Sequence, residues 1–558
     1  MPGARRVLVL GGGFTAVNAC RAMGSGIAAG RLDVTVVTRD NFLCAHALIP
    51  EMVTGRLTPG TILNPARRIF GRARVHVGEI ERIDLDGRRL HTTRHLDGAR
   101  FELEYDDAVL AFGTSENLDA YPGLAEHAFK LKSFDDSFAL RNHIIEMFEL
   151  AEIERDREER RRLLTFFVAG GGFSGTEVAG ELADLARLLT SREYRGIHRD
   201  ECRVVIVHPG PTLLPELYGS GSLERKSKAF PRLIEYGMEH ARKLGVEMML
   251  ETSVVGATPN EVYLSNGEHV PTRTIVSTVG TKQSPLLASL PIPCDERGRV
   301  RVEATMQAVG YEEIWAGGDC ASVPHPKGGT CPPTGLWAVK HGQHVGRNIS
   351  RIAEGNAPRP FRGVVRTQGI SLGGRTGVAE VNGIPLRGKL AWLGFRSVAF
   401  MIIPSWDRRL RMLSDWLLWP LVGRDIAQMG RVQRSAYDVR HHVYQPGEVI
   451  VDASRPLRHV HVVVEGEVDV IRRDESGDRV TTTVGPGGHF GRKWLEHQGA
   501  DAVRARSLVR TLVLNAEQAN RLQDVLSSTD RIVAKTSFMP IADAETASRL
   551  LAEERGSS

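Results

Sequence analysis

Two glycine boxes carry the residues whose types and spacing can do chemistry. The first, VLVLGGGFTA from Val7 to Ala16, runs four apolar strand-formers into a glycine triplet and then a helix. Gly11 permits the tight turn, Gly13 lets backbone N–H groups approach a pyrophosphate, and Ala16 keeps the helix close on its strand. The helix N-terminus then meets phosphate charge. The second box, TFFVAGGGFSG from Thr165 to Gly175, repeats the arrangement with Gly170, Gly172 and Gly175. A single box is a weak signal, since a plain strand–turn–helix satisfies it too; two in one chain point to two dinucleotides.

Such boxes need parallel strands beside them, and the chain supplies these. DVTVVTRDNF, Asp33 to Phe42, reads as a buried strand whose end reaches the first ligand's adenosine ribose; an acid is usual there, but the position holds Thr38, followed by Arg39 and Asp40. YDDAVLAFGT, Tyr105 to Thr114, ends in the small residues Gly113 and Thr114, across which a cofactor can lie. RVVIVHPG, Arg203 to Gly210, ends at the second ribose with His208 in place of the carboxylate that selects NADH. A histidine cannot accept two hydroxyl protons, and a protonated one tolerates a 2′-phosphate, so NADH and NADPH both stay open. Glu79 to Arg94 alternates and turns at Asp86-Gly87 like an antiparallel hairpin. Ser133 to Arg162 is helical and closes in ERDREERRR, read as a solvated face.

The 558 residues, 42% hydrophobic and 25% charged, suffice for three or four domains. A net charge of +5, with arginines interleaved among acids, argues against nucleic acid and matches an anionic membrane surface better. The six cysteines lack CxxC spacing, which argues against a redox disulfide, a zinc site or a secreted disulfide scaffold. His325, His341 and His344 are spaced unlike metal ligands, so no metal is expected. The chain enters its first strand at once; the expectation is no signal peptide and a cytoplasmic location.

Taken in order, GGGFTA, DNFLCAHALIPEMVTGRL, LAFGT, GGGFSGTEVAGEL, STVGTKQSPLL and IWAGGDCASVP make residues up to about 430 resemble a type II NADH dehydrogenase, the single-subunit NADH:quinone oxidoreductase of the two-dinucleotide-domain flavoproteins. The resemblance implies an α/β fold with two Rossmann-like, glutathione-reductase-like domains: FAD-binding over 1–132 and 280–365, NAD(P)H-binding over 133–279. It implies FAD on the first box, near Gly11, Gly13, Phe14, Thr15, Ala16, Thr38, Arg39, Gly113, Thr114, Gly318, Asp319 and Ala338. It implies NADH or NADPH on Gly170, Gly172, Gly175, His208 and Gly280. Glu177 falls on the acidic position near the nicotinamide in similar enzymes; a helix N-terminal acid favoured by the dipole is the other reading. The implied reaction is hydride transfer from nicotinamide C4 to flavin N5, then two electrons to a quinone-like acceptor.

The acceptor end departs from the family. PPTGLWAVKHG, Pro332 to Gly342, sets Leu336 and Lys340 where the family has glutamines, and His46-Ala47 replaces a threonine-proline. The expected acceptor pocket is therefore His46, Leu336, Trp337 and Lys340, serving a quinone bound differently or another small acceptor. Sulfide oxidation is disfavoured because no cysteine pair sits where flavin-facing cysteines are expected. Residues 366–432 form an amphipathic segment: Lys389 to Gly430 mixes Trp392, Phe395, Phe400, Trp406, Trp416 and Trp419 with Arg396, Arg408, Arg409 and Arg411. No apolar run reaches the roughly 18–20 residues of a membrane span, so the segment fits an interfacial helix on a membrane, or a helical pair on the core or a dimer partner.

From His441 short alternating segments turn at Pro446-Gly447, Glu465-Gly466, Ser476-Gly477 and Gly485 to Gly488, which indicates a small antiparallel β-roll over 433–526. Residues Ala436 to Val525 resemble a cyclic-nucleotide-binding domain. Phe490-Gly491 is kept, but Arg492 stands at the ribose glutamate, and the phosphate arginine aligns near Gly499, with Arg504 and Arg506 later. Each lost contact is worth ~1.5–3 kcal/mol, so the expectation is a sensor, docking or dimerisation module that does not depend on a cyclic nucleotide. A helical tail is expected over 527–558. A second reading of the whole is a catalytically weak redox sensor signalling through the roll.

Overall fold

The computed structural model describes residues 3–95, 97–219, 230–429, 440–453, 459–474, 477–491 and 499–515. Ser476, Arg492 and the tail from 527 lie outside them.

Each glycine box sits at the centre of its own parallel sheet. In the first, β1 (Arg5–Leu10) is flanked by β2 (Leu32–Thr38) and β4 (Asp107–Leu110), with β3 (Arg74–Val77) outside β2. Val7 to Leu10 are buried on both faces, the pattern of a central parallel strand covered by helices. Helix α1 (Phe14–Ala22) follows the box. The fifth strand, β10 (Ile314–Ala316), returns from far along the chain and pairs with β4, so the first domain is closed only after the second has been built.

The second sheet has the order β5-β9-β6-β7-β8: β5 (Ala128–Lys130), β6 (Thr165–Ala169), β7 (Arg203–Val207), β8 (Val246–Met249) and β9 (Thr274–Ser277), all parallel. The expected helical stretch is α2 (Phe134–Ile153), capped by Ser133, followed by a short solvent-facing helix Arg157–Leu163 that carries the charge run. Helix α3 (Phe173–Arg192) leaves the second box. The hairpin predicted at Asp86-Gly87 is formed by Glu79–Asp84 and Arg89–Thr93.

Helix α4 (Gly335–Ala353) lies against α1 because Gly342 and Gly346 carry no side chain: a Cβ at either would collide with the carbonyl of Thr15 or Ala19. A three-stranded meander follows, β11 (Thr367–Ser371), β12 (Gly377–Val381) and β13 (Ile384–Gly388), then α5 (Lys389–Ile402) and α6 (Trp406–Val422).

These two helices correct the picture of aromatics turned to a lipid surface with arginines flanking them. Arg396 is buried, its Nη2 donates to Glu51 Oε2 at 2.9 Å, and its guanidinium lies over Trp392 (4.0 Å) and Trp416 (4.5 Å). Trp419 is sandwiched by Arg56 and Arg375 at 4.6 and 4.8 Å. Cation–π stacking and one carboxylate turn the tryptophans inward. What faces outward is aliphatic: Leu390, Leu393, Met401, Leu410, Leu417, Leu418, Leu421 and Val422, together with Trp406. Among the described residues no helix is long and apolar enough to cross a membrane.

The C-terminal segment forms the expected roll of two four-stranded antiparallel sheets around Tyr444, Val463, Val470, Phe490 and Val503. It is seated on the second domain, where Val443 N–H donates to His127 Nε2 (3.1 Å) and Asn260 Nδ2 to Glu448 Oε1 (3.0 Å).

Candidate functional site

Both boxes open into one cavity of about 1990 Å³. The first box reaches it through Gly11, Gly13, Phe14 and Thr15, and the strand ends through Thr38, Arg39, Gly113 and Thr114. The second reaches it through Gly172, Gly175 and Glu177, with Gly280 beside them. Gly318 and Asp319 form its floor with Leu336, Trp337 and Ala338, and α5 closes a third, apolar arm with Phe395, Val398, Ala399 and Ile402.

The boxes have the shape their chemistry demands. Gly11 has φ +118° and packs its Cα against the Ala111 carbonyl, so no side chain fits there, while a Cβ on Gly13 would meet nothing within 4 Å. The first turn of α1 has no side-chain cap, which leaves its N–H groups pointing into the cavity, a cradle for a pyrophosphate. Gly170 has φ +104°, with Thr278 Oγ1 2.5 Å from where its Cβ would be. Ala16 and Gly170 sit behind the lining and shape it from there.

Two expectations need correction. Lys340 is exposed and stands outside the lining: α4 turns Trp337, Ala338, His341 and Gly342 toward the core, which leaves Lys340 on the solvent side. His208 also lies outside the lining. Its Nδ1 accepts the Gly171 N–H at 3.3 Å, and burial holds its pKa below the usual histidine range, so the ring is neutral and offers no charge to a 2′-phosphate.

His46 does reach the cavity and joins a group that sequence reasoning missed. Its Nε2 bonds the Lys132 carbonyl at 2.7 Å, and Lys132 Nζ donates to the Thr114 hydroxyl and, at 3.3 Å, to the Thr114 carbonyl. The N–H groups of Leu131 and Lys132 donate to Glu116 Oε1 at 3.1 and 2.7 Å, which fixes this turn. Burial pulls Lys132 down and pushes Asp319 up, while the charges of Lys132 and His46 pull Asp319 back. No motif announces Lys132; it is placed by β5, whose pairing to β9 is non-local. His341 is a packing residue: its Nδ1 accepts the Gly318 N–H at 3.1 Å, and its ring lies against Trp337 and Phe361. Among the described residues no cluster of three or more His, Cys, Asp or Glu could hold a metal, and Cys44 is the only cysteine among those lining the cavity.

Glu177 faces the cavity from α3. Burial pushes its carboxyl well above the usual range; the Ser371 N–H, donating to Oε1 at 3.4 Å, opposes this, and Glu51, Glu181 and Glu216 add to it. A carboxyl with a raised folded-state pKa holds its proton over a pH range in which the unfolded chain releases it. Stability therefore falls as pH rises from the ordinary carboxylate range toward the folded pKa. Glu177→Gln lacks that loss. Thermal melts of the two proteins are expected to lie closest at pH 5 and to separate at pH 8 with the variant more stable; the reverse order at pH 8 would place an ionised Glu177 in the fold.

Behind Glu177 lies a buried ionic cluster. Arg56 Nε donates to Glu181 Oε2 (2.7 Å) and its Nη2 to Asp184 (2.5 Å); Arg424 also pairs with Asp184 and, at 3.7 Å, with Glu181. Burial, with the like charge of Arg56, pulls Arg424 down to about 10. The cluster ties α3 to Thr54, whose hydroxyl donates to Glu181 at 3.2 Å, and through Arg424 to the segment after α6.

The sequence profile of the pyridine nucleotide-disulphide oxidoreductase family matches residues 5–342, and that of the cyclic nucleotide-binding domain matches 441–525. Similar curated proteins include the type II NADH:quinone oxidoreductase NdhA of Mycobacterium tuberculosis, 26% identical over 78% of this chain and 91% of that protein. Another is the type II NADH:quinone oxidoreductase of Staphylococcus epidermidis, 26% identical over 69% of this chain and 92% of that protein. Among solved structures, NDH2 from Plasmodium falciparum in complex with NADH superposes with a TM-score of 0.68 at 16% identity, covering 76% of this chain and 99% of that one.

Proposed function

From a chain that belongs to the pyridine nucleotide-disulphide oxidoreductase family, we propose an FAD-dependent NADH dehydrogenase that passes two electrons on to a quinone. The observation that carries this reading is the single cavity with two anion cradles and one apolar arm. The names of the M. tuberculosis and S. epidermidis relatives support NADH and quinone as its partners.

FAD on the first box would supply a hydride acceptor that returns electrons in pairs. Gly11, Gly13 and the first turn of α1 would bind its pyrophosphate, and Asp319 and Thr38 would meet its polar chain. Lys132, pinned on Thr114, lines the cavity as a donor. Gly172, Gly175 and Gly280 would bind the nicotinamide dinucleotide. Glu177 lines the cavity beside the second box, its carboxyl pushed up by burial. The acceptor arm is Leu336, Trp337 and His46 with the α5 side chains; it orients an apolar ring and excludes water. The test is steady-state NADH oxidation with a short-chain quinone: turnover that needs both FAD and quinone supports the reading, and turnover with neither sinks it.

The outward aliphatic face of α5 and α6 supports peripheral attachment to a membrane, where such an acceptor dissolves. Leu417 and Leu421 are 65% and 83% exposed, and burying one leucine is worth about 1.5–3 kcal/mol. Leu417→Asp with Leu421→Asp is expected to abolish co-sedimentation with phosphatidylcholine–phosphatidylglycerol vesicles; undiminished binding would refute this attachment.

A further inference from the structure

The two boxes are alike in sequence but not in what stands over them. At the first, the N-terminus of α1 has no side-chain acceptor, and the space beyond Gly13 is open. At the second, Glu216 Oε1 accepts the Phe173 N–H at 2.9 Å, and a Cβ on Gly172 would lie 2.5 Å from the same oxygen. The carboxylate therefore sits on the N–H that a pyrophosphate would use.

This placement is built by the fold. Leu214, at φ +59°, donates its N–H to the Gly171 carbonyl at 2.8 Å, and Leu213, Leu214 and Leu217 are buried, so residues 213–217 are folded across the box. Glu216 itself lines the cavity. Among the described residues no cation offsets its charge, and the one histidine at this end of the box, His208, is neutral.

We propose that Glu216 is a carboxylate gate on the dinucleotide site: it competes with the pyrophosphate for the N-terminus of α3, and every dinucleotide that binds must first displace it. Two anions cannot share one N–H donor, and at a few ångströms their repulsion costs binding. The gate sets the affinity of the second site below that of the first, where FAD meets no such rival. It rests on the reading that the second box holds a dinucleotide.

The test is calorimetric titration of the FAD-loaded protein with ADP, which carries the pyrophosphate, and with adenosine, which does not. Glu216→Ala is expected to bind ADP at least about tenfold more tightly than the wild type, the effect of removing one like charge at this range, with adenosine affinity the same in both. Glu216→Gln, which keeps the acceptor but not the charge, falls between. Retained flavin absorbance shows that each variant is folded. ADP affinity equal to or weaker than wild type in Glu216→Ala would overturn the gate while the dinucleotide reading stands. Equal tightening toward adenosine would reassign the effect to the loop and overturn it as well. No ADP binding by any of the three proteins would overturn the dinucleotide reading, and the gate with it.

Discussion

The Gly175→Ala protein is expected to purify yellow with FAD and to bind NADH about 100-fold more weakly than the wild type, a loss of about 2.7 kcal/mol. A Cβ at this position would collide with the Gly170 carbonyl and come within 2.8 Å of Thr278 Oγ1. Neither neighbour can give way. Gly170 N–H is tied to the Val207 carbonyl at 2.9 Å, and Thr278 donates from its N–H to Ala169 and from its hydroxyl to Gly170, at 2.8 and 3.1 Å. Helix α3 must lift from β6 instead, which carries its N-terminal N–H groups off the cradle. The first box belongs to another sheet and is untouched. Its counterpart is Gly342→Ala, which pushes α4 off the Thr15 carbonyl and is expected to cost FAD rather than NADH. Flavin content and NADH titration together separate the two; loss of FAD from the Gly175 variant would contradict the independence of the boxes.

The second large effect is on stability. Arg56→Met leaves Glu181 and Asp184 buried with Arg424 as their principal remaining partner, and a buried pair broken from one side costs about 3–5 kcal/mol. Arg56 also covers Trp419, so the variant loosens the seat of α6. Removing an exposed pair such as Arg94–Asp97 is expected to cost far less. Denaturant unfolding of both variants checks the contrast; equal losses would mean that the cluster contributes no more than a surface bridge. Adding Glu181→Gln to the Arg56 variant removes one orphaned charge and is expected to recover part of the loss.

Much of this was legible in the chain. Val7 to Leu10, Val204 to Val207 and Ala108 to Leu110 are continuous apolar runs, the first ended by Gly11 and the last by Ala111, and such runs become central parallel strands wherever helices cover both faces. The roll was readable because its turns are marked, as at Gly447 and Gly466, both with positive φ. The unread residues depend on partners far away in sequence. Arg396 looked like a surface charge because nothing local says that Glu51, 345 residues earlier, will meet it. Lys340 looked like a pocket residue by alignment to a motif, but the rotation of α4 is set by Gly342 and Gly346 against α1. Glu216 belongs to an ordinary LLPEL stretch and gains its role only because Leu214 is bonded back onto Gly171.

The central claim is that one cavity relays electrons from NADH to a quinone through FAD. It is tested most directly by anaerobic rapid mixing of the FAD-loaded protein with NADH, then with a short-chain quinone, while the flavin absorbance is followed. The account predicts bleaching by NADH, much slower bleaching by NADPH, and full recovery on quinone. Flavin that stays oxidised in the presence of NADH, or that bleaches and does not recover with quinone, would contradict it.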